Sequence, residues 1–252
     1  ARYTWQDLKT TAKKDGAGYV LNGHKAVVIG APYATHLIVT ARTGGGQREA
    51  QGVSVFLVDK SAKGVTTRDY PTVDGFLASE VFFENVSVGA DALIGAEGQS
   101  LGLVEKVMDE AVAATCAEAC GVLRKLHEGT LEYTKQRKQF GQPISSFQVL
   151  QHRMVDMFIQ LEQSISMTYM ATIKLGDTDV ERAKAVAAAK VQIGKACKFV
   201  GQNAIQLHGG MGMTDEMAIG HYFKRATMIE GAFGSTDHYL ARYEGLSLGA
   251  AA

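Results

Sequence analysis

Residues 137 to 157, RKQFGQPISSFQVLQHRMVDM, decide the fold, because they join two helical patterns. Gly141 and Pro143 end the first pattern, since glycine favours the backbone conformation that closes a helix and proline cannot continue one. Ser146 is predicted to cap the second helix by accepting a hydrogen bond from a free backbone N–H group. Apolar residues then return at helical spacing and predict one buried stripe. These residues are Phe147, Leu150, Met154, Met157, Phe158, Leu161 and Ile165.

Helical periodicity continues through the C-terminal part of the sequence. Helices are predicted at about residues 100–136, 146–174, 179–207 and 214–233, with a short last helix from residue 236. Four long amphipathic helices with short connections are typical of an up-and-down four-helix bundle. The sequence therefore predicts a helical domain at residues 98–252.

The first part of the chain, residues 1–97, is predicted to be a β domain. Several short strands follow one another here without helices between them, which is typical of an antiparallel β-barrel or sandwich. Asn22-Gly23 predicts a two-residue hairpin turn between a strand ending at Leu21 and a strand from His24 to Ile29. The expected fold class is α+β, with the β domain preceding the helical bundle.

Composition argues against several classes of function. The 252 residues contain 26 Lys plus Arg and 26 Asp plus Glu, so no basic surface for nucleic acid is indicated. No apolar run is long enough to predict a membrane-spanning helix, and no pattern of His and Cys predicts a metal site. The three cysteines cannot all pair and are interpreted as small buried thiols, which favours a cytoplasmic location.

Two helix junctions could hold a ligand. Arg137 and Gln148 lie beside helix termini, where an anionic cofactor could bind, although cations that complement a helix dipole explain the same pattern. The second junction, QLHGGMGM at residues 206–213, has glycines that let a flat or phosphorylated ligand approach the main chain closely. Asp109 and Glu110, on the first long helix, are expected to be exposed carboxylates.

Three motifs together resemble the flavin-dependent acyl-CoA dehydrogenases. They are GYVLNGHKAVV at residues 18–28, RxxFGxPIxxFQxxQxxxxDM at 137–157 and QLHGGMGMTDE at 206–216, so the resemblance covers nearly the whole chain. It implies FAD as cofactor, α,β-desaturation of an acyl-CoA thioester, an electron-transfer flavoprotein as electron acceptor, and a homo- or hetero-tetramer. The helical domain that precedes this point in the family is not expected in this chain.

In the helical domain, the resemblance implies two groups of cofactor contacts. Arg137 would meet the FAD diphosphate, because a guanidinium suits two phosphate oxygens, while Phe140 would pack on the cofactor and Gln148 would hydrogen-bond it. The second group would contact the FAD of a neighbouring subunit. It consists of Gln206, Gly209 and Gly210.

In the β domain, the resemblance implies contacts to the isoalloxazine ring from the segment that contains Val27 and Ile29. The family usually has Trp-Ile-Thr where this sequence has Val27-Val28-Ile29. Backbone groups at these positions could still bond the ring, but the aromatic side chain and the threonine hydroxyl are missing.

The catalytic base is open between two alignments. The reaction removes a proton next to the thioester and needs a carboxylate in a dry pocket, which the family supplies in a Glu-Gly-Thr segment. Matching Glu230-Gly231 to this segment requires a deletion and makes Glu230 the base, whereas the gapless alignment places Phe233 there. Two functions follow, either an active dehydrogenase or a non-catalytic partner subunit that completes a flavin site. The segments FGSTDHYL, MVDM and GHYFKR are most similar to small subunits of pimeloyl-CoA dehydrogenase-type enzymes.

Overall fold

The computed structural model describes residues 3–249, and the chain forms two compact units that divide between Lys106 and Val107. The N-terminal unit is built from strands and the C-terminal unit from helices, which confirms the predicted α+β class. The predicted domain boundary between residues 97 and 98 stays a prediction, and the domain ends at residues 1–2 and 250–252 lie outside the described part.

Within residues 3–249, the N-terminal unit contains one seven-stranded sheet with the order β5-β6-β2-β1-β3-β4-β7. Its strands are β1 Thr11–Asp15, β2 Gly18–Ile29, β3 His36–Arg42, β4 Val53–Asp59, β5 Val65–Pro71, β6 Leu77–Val88 and β7 Leu93–Ile94. Neighbouring strands are antiparallel except β1 and β3, which pair in parallel where Thr11 lies opposite Arg42. The sheet is therefore mixed, and its closure into a barrel stays a prediction.

The hairpin predicted at Asn22-Gly23 is wrong, because β2 runs straight through these residues. The turn before β2 is at Gly16-Ala17, as the pairing of Asp15 with Gly18 shows. Instead, Asn22 Nδ2 donates a hydrogen bond to Oδ1 of Asn85 in β6 at 3.2 Å, and the Asn85 N–H donates one to Asn22 Oδ1 at 2.9 Å. Gly23 lies at a β-bulge with φ 146°, where a Cβ atom would come within 2.6 Å of Thr10.

The C-terminal unit contains five α-helices within its described residues, and the predicted helices are confirmed. They are α1 Leu101–Gln136, α2 Gln148–Ile173, α3 Asp179–His208, α4 Ala218–Gly231 and α5 Thr236–Ser247. The largest error is at α4, which begins at Ala218 and not at residue 214. Buried side chains from all five helices form one core, with Leu123 and Met157 among those that are fully buried.

Two details of the stretch at 137–157 differ from the prediction. Phe147, and not Ser146, precedes α2, and the helix has no side-chain cap, since the Ser146 hydroxyl donates to the Pro143 carbonyl at 2.7 Å. The buried stripe contains Met154, Met157 and Leu161, but Phe158 is 47% exposed. The helical spacing was therefore right, while the width of the buried face was overestimated.

Asp109 on α1 is buried, so the expectation of an exposed carboxylate is wrong for this residue. Its two oxygens accept hydrogen bonds from Arg182 Nε of α3 at 3.2 Å and from Arg242 Nη1 of α5 at 2.7 Å. Glu110, one residue later, is exposed as expected. A buried carboxylate between two guanidinium groups ties three helices together, because each charge needs the others as partners.

Candidate functional site

A strained hairpin tip is the first feature of the candidate site. Arg137 follows α1, and after it the short strands β8 Lys138–Gln139 and β9 Gln142–Pro143 pair in an antiparallel hairpin. Its turn residues Phe140 and Gly141 both have positive φ, at 55° and 80°, which defines a type I′ turn that normally favours Asn-Gly. Phe140 is 90% exposed. An aromatic residue held in an unfavourable conformation in water points to a role outside the chain.

The hairpin places Phe140 beside the start of α2. The rings of Phe140 and Phe147 meet edge-on with centroids 6.1 Å apart, and Gln148 is the first residue of α2. The carbonyl of Arg137 accepts a hydrogen bond from the Ile144 N–H at 2.9 Å, which closes the loop between the two helices. The first predicted group of contacts, Arg137, Phe140 and Gln148, therefore belongs to one local structure.

The second predicted group lies at the end of α3. Gln206 is exposed in the last helical turn, and Gly209 ends the helix with φ 59°. A Cβ atom on Gly209 or Gly210 would meet nothing within 4 Å, whereas a Cβ atom on Gly212 would contact His208 and Ile205 at 3.0 Å. The positive φ at position 209 explains why this residue is glycine, and the close packing at position 212 explains why Gly212 has no side chain. At Gly210, neither a positive φ nor close packing against the described residues requires a glycine. A ligand that approaches the main chain closely would require one.

The ends of α1 and α3 are adjacent. Tyr133, in the last turn of α1, donates a hydrogen bond to the His208 carbonyl at 3.3 Å, and the two rings stack with centroids 4.3 Å apart. Burial lowers the pKa of His208, because it disfavours the charged imidazolium. Through this contact, the helix end that carries Arg137 lies next to the helix end that carries Gly209.

The predicted flavin contacts of the N-terminal unit lie on a second bulge of β2. The pairing of β2 with β6 shifts between Lys25 and Val28, and Val27 has φ 53°, a rare conformation for a β-branched residue. Val27 and Ile29 are 54% and 52% exposed. The Val27 N–H already donates to Glu80 Oε1 at 3.3 Å, so this amide is not free for a flavin ring.

Glu80 holds this bulge and was missed by the sequence reading. Besides Val27, its carboxylate accepts a hydrogen bond from the Tyr70 hydroxyl at 2.9 Å and contacts His24 Nε2 at 2.5 Å. The hydrogen bond from Tyr70 contributes most to a pKa of Glu80 below its usual value. No sequence motif could have indicated this cluster, because its members come from three strands that meet only in the folded sheet.

Glu230, the predicted base, lies in the last turn of α4 and bridges to α5. Its Oε1 accepts hydrogen bonds from the Thr236 N–H at 3.2 Å and the Thr236 hydroxyl at 2.9 Å. Its carbonyl accepts a bond from the buried Lys190 ammonium at 3.0 Å. Burial raises the pKa of the Glu230 carboxyl, but the bonds from Thr236 and the charges of Lys190 and Lys198 outweigh it, so the pKa lies below its ordinary value.

Phe233 occupies the sharp turn between α4 and α5. Its φ is 57° and that of Gly234 is 142°. The Tyr239 hydroxyl donates to the Phe233 carbonyl at 3.1 Å, and a Cβ atom on Gly234 would come within 2.5 Å of the Tyr239 ring. The turn is therefore fixed by its backbone and by Tyr239, while the side chain of Phe233 is 39% exposed and has no acid–base function.

Residues 3–249 show neither a metal-binding cluster nor a membrane-spanning helix. This part of the chain has no cluster of three or more His, Cys, Asp or Glu side chains that could hold a metal ion. It also has no helix whose length and apolar character would suffice to cross a membrane.

Comparison with known proteins identifies similar chains. Family models for the middle domain and the C-terminal domain of acyl-CoA dehydrogenases match residues 2–86 and 98–242. The probable acyl-CoA dehydrogenase YngJ of Bacillus subtilis is 31% identical over 232 residues, which are 91% of this chain and 61% of that protein. Human mitochondrial short-chain specific acyl-CoA dehydrogenase is 28% identical over 231 residues, covering 90% of this chain and 56% of that protein.

Solved structures share the fold. The FAD complex of PigA has a TM-score of 0.91 and 29% identity, covering 99% of this chain and 65% of that chain. The chain thus spans about three fifths of the length of the proteins it matches, as for the 3-(aryl)acrylate reductase of Clostridium sporogenes, of which it covers 59%.

Proposed function

Because this chain belongs to the acyl-CoA dehydrogenase family, we propose that it is a subunit of an FAD-dependent enzyme that desaturates an acyl-CoA thioester between its α and β carbons. The FAD complex of PigA, at 29% identity over nearly the whole chain, supports FAD as the cofactor. An electron-transfer flavoprotein as electron acceptor and a tetrameric assembly are proposed on family membership. The three cysteines, all free thiols, support the proposed cytoplasmic location.

The observation that carries the flavin proposal is the open glycine surface at the end of α3. Bound FAD would supply the acceptor for the hydride that leaves the substrate's β carbon. This chain's part is to bind and orient it. A Cβ atom at Gly210 would meet nothing within 4 Å in residues 3–249, which leaves room for a ligand, and Arg137 provides a guanidinium that can bond two phosphate oxygens at once. Phe140 provides an exposed apolar face for packing.

The sequence left two functions open, an active dehydrogenase and a non-catalytic partner subunit. The contacts of Glu230 favour the non-catalytic partner subunit. A base that accepts a proton from carbon needs a carboxyl with a raised pKa and a free oxygen near the substrate. Glu230 instead has a lowered pKa, and its side chain joins α4 to α5 through Thr236. We therefore propose that a partner subunit supplies the base and that this chain completes the flavin site. Co-purification with a larger homologous subunit is the expected result.

The flavin proposal is tested by Gly210→Ala, with Gly176→Ala as the matched control. A Cβ atom has free space at both positions, so neither change should affect folding. The protein, purified together with its accompanying subunits, is titrated with FAD and followed by flavin fluorescence. We expect Gly210→Ala to weaken FAD binding at least about tenfold, the loss of one good contact, while Gly176→Ala matches the wild type. Equal FAD affinity in both variants would refute this site.

The base is tested by Glu230→Gln in the assembled enzyme. Loss of a general base typically lowers the rate by about 10²–10⁴-fold. If a partner supplies the base, kcat should stay within about threefold of wild type, because glutamine keeps an oxygen for Thr236. A loss of two or more orders of magnitude, with unchanged melting temperature and FAD content, would show that Glu230 is the base after all.

A further inference from the structure

A cleft opens in the N-terminal unit beyond the end of strand β1. β1 pairs with only the first part of β2, where Thr11 lies opposite Asn22, and touches β3 at Arg42. The second part of β2 and most of β3 therefore flank a gap, which forms a cleft of about 330 Å³. Leu37 and Val39 of β3 and Val81 and Phe83 of β6 line it, so its walls are mainly apolar.

Lys25 is the cation of this cleft. It is half-buried and lies opposite Val81 in the pairing of β2 with β6, and Val81 belongs to the buried core. Its ammonium group donates a hydrogen bond to the Thr40 hydroxyl at 3.0 Å, which uses one of its three N–H groups. Burial lowers the pKa of Lys25 to about 8.

The surroundings of Lys25 define what could bind there. An ammonium group in an apolar site is stabilised by an anion, because the anion supplies both the missing acceptors and the opposite charge. His36 of β3 is the other titratable side chain that lines the cleft, and β6 contributes only apolar groups. At the rim, Ile38 is 74% exposed and offers apolar surface to a hydrocarbon chain.

We propose that this cleft binds an aliphatic carboxylate, with the carboxylate on Lys25 Nζ and the alkyl chain along the exposed side chain of Ile38, which lies on the same face of β3 as Thr40. The cleft volume is far above the roughly 10–15 Å³ that a single water molecule needs, so the cleft has room for a larger ligand. The cleft adjoins the segment that carries the predicted flavin contacts Val27 and Ile29. Ile29, a predicted flavin contact, also lines the cleft, so the test measures ligand binding directly and does not use a flavin signal.

The test is calorimetric titration of the purified protein with sodium octanoate, compared with octan-1-ol as the uncharged analogue. Lys25→Met removes the cation and keeps an apolar side chain of similar length. Lys63→Met is the matched control, since Lys63 is exposed and the change in net charge is the same. A hydrogen bond to a charged group predicts a ~10- to 100-fold loss of octanoate affinity in Lys25→Met. Lys63→Met should bind octanoate like the wild type, and octan-1-ol should not distinguish the variants.

Failure of octanoate to bind the wild type, or equal affinity in wild type and Lys25→Met, would overturn the proposal. A measurement on the wild type alone guards against a variant that does not fold. Nitrogen-15 NMR of the lysine side chains, at increasing pH, should show that octanoate raises the pKa of Lys25. An unchanged pKa at saturating octanoate would equally count against the site. Because none of these readouts involves FAD or dehydrogenation, the result is independent of the proposed function.

Discussion

Replacing Asp109 with asparagine should destabilise the helical unit by about 3 kcal/mol. Asp109 is 1% exposed and pairs with Arg182 and Arg242, whose side chains are 6% and 20% exposed. Removing one partner of a buried ion pair costs about 3–5 kcal/mol. The lower value applies here, because Arg182 keeps Asp179 at 2.7 Å and Arg242 is close enough to the surface to be hydrated.

Urea unfolding at pH 7, followed by circular dichroism of the helices, measures this change, and the melting temperature provides a second measure. For a chain of this size, 3 kcal/mol corresponds to a decrease of about 6–12 °C. Glu110→Gln removes the same charge one residue later, on the exposed face of α1, and should shift the free energy of unfolding by less than about 0.5 kcal/mol. An Asp109→Asn variant as stable as Glu110→Gln would refute the view that this carboxylate joins α1, α3 and α5.

Two other substitutions test the strained turn at Phe140 and the half-buried Lys25. Phe140→Asn should stabilise the hairpin by about 1 kcal/mol, since asparagine tolerates positive φ better than phenylalanine, and should weaken FAD binding. Melting and flavin titration separate the effects, and a less stable Phe140→Asn would contradict the assignment of strain. For Lys25, the pKa of about 8 in the folded chain, against 10.5 unfolded, means that the unfolded state binds more protons between these values. Wild-type stability should therefore rise relative to Lys25→Met by at most about 3 kcal/mol from pH 8 to 10.5. A difference that does not change with pH would show that Lys25 is not desolvated.

The helices could be predicted from the sequence because their signals are local. The apolar residues of α1 repeat within each turn, and its predicted end at residue 136 is the observed one. The hairpin predicted at Asn22-Gly23 was wrong because the deciding contact there is not local. Asn-Gly suits both a hairpin turn and a bulge, and the choice was made by Asn85, which lies 63 residues further along the chain.

The same distinction separates the predictable from the unpredictable part of the site. The motifs place Arg137, Phe140 and the glycines after helix ends, where the structure has them, while their contacts with FAD stay predictions. They could not show that Glu230 is bonded to Thr236, because that contact depends on how α4 turns into α5. Asp109 was misjudged because its partners Arg182 and Arg242 are 73 and 133 residues away, and its position on α1 alone looks like a solvent-facing one.

The hairpin tip has a practical consequence for studying this protein. At Phe140, the backbone conformation and the exposure of the ring are both unfavourable, so a surface that covers the ring would offset part of this cost. The NMR resonance of a fluorine label on this ring should therefore shift when a cofactor or a partner covers the ring. Such a probe would let the loading of the assembly be followed without any enzymatic turnover.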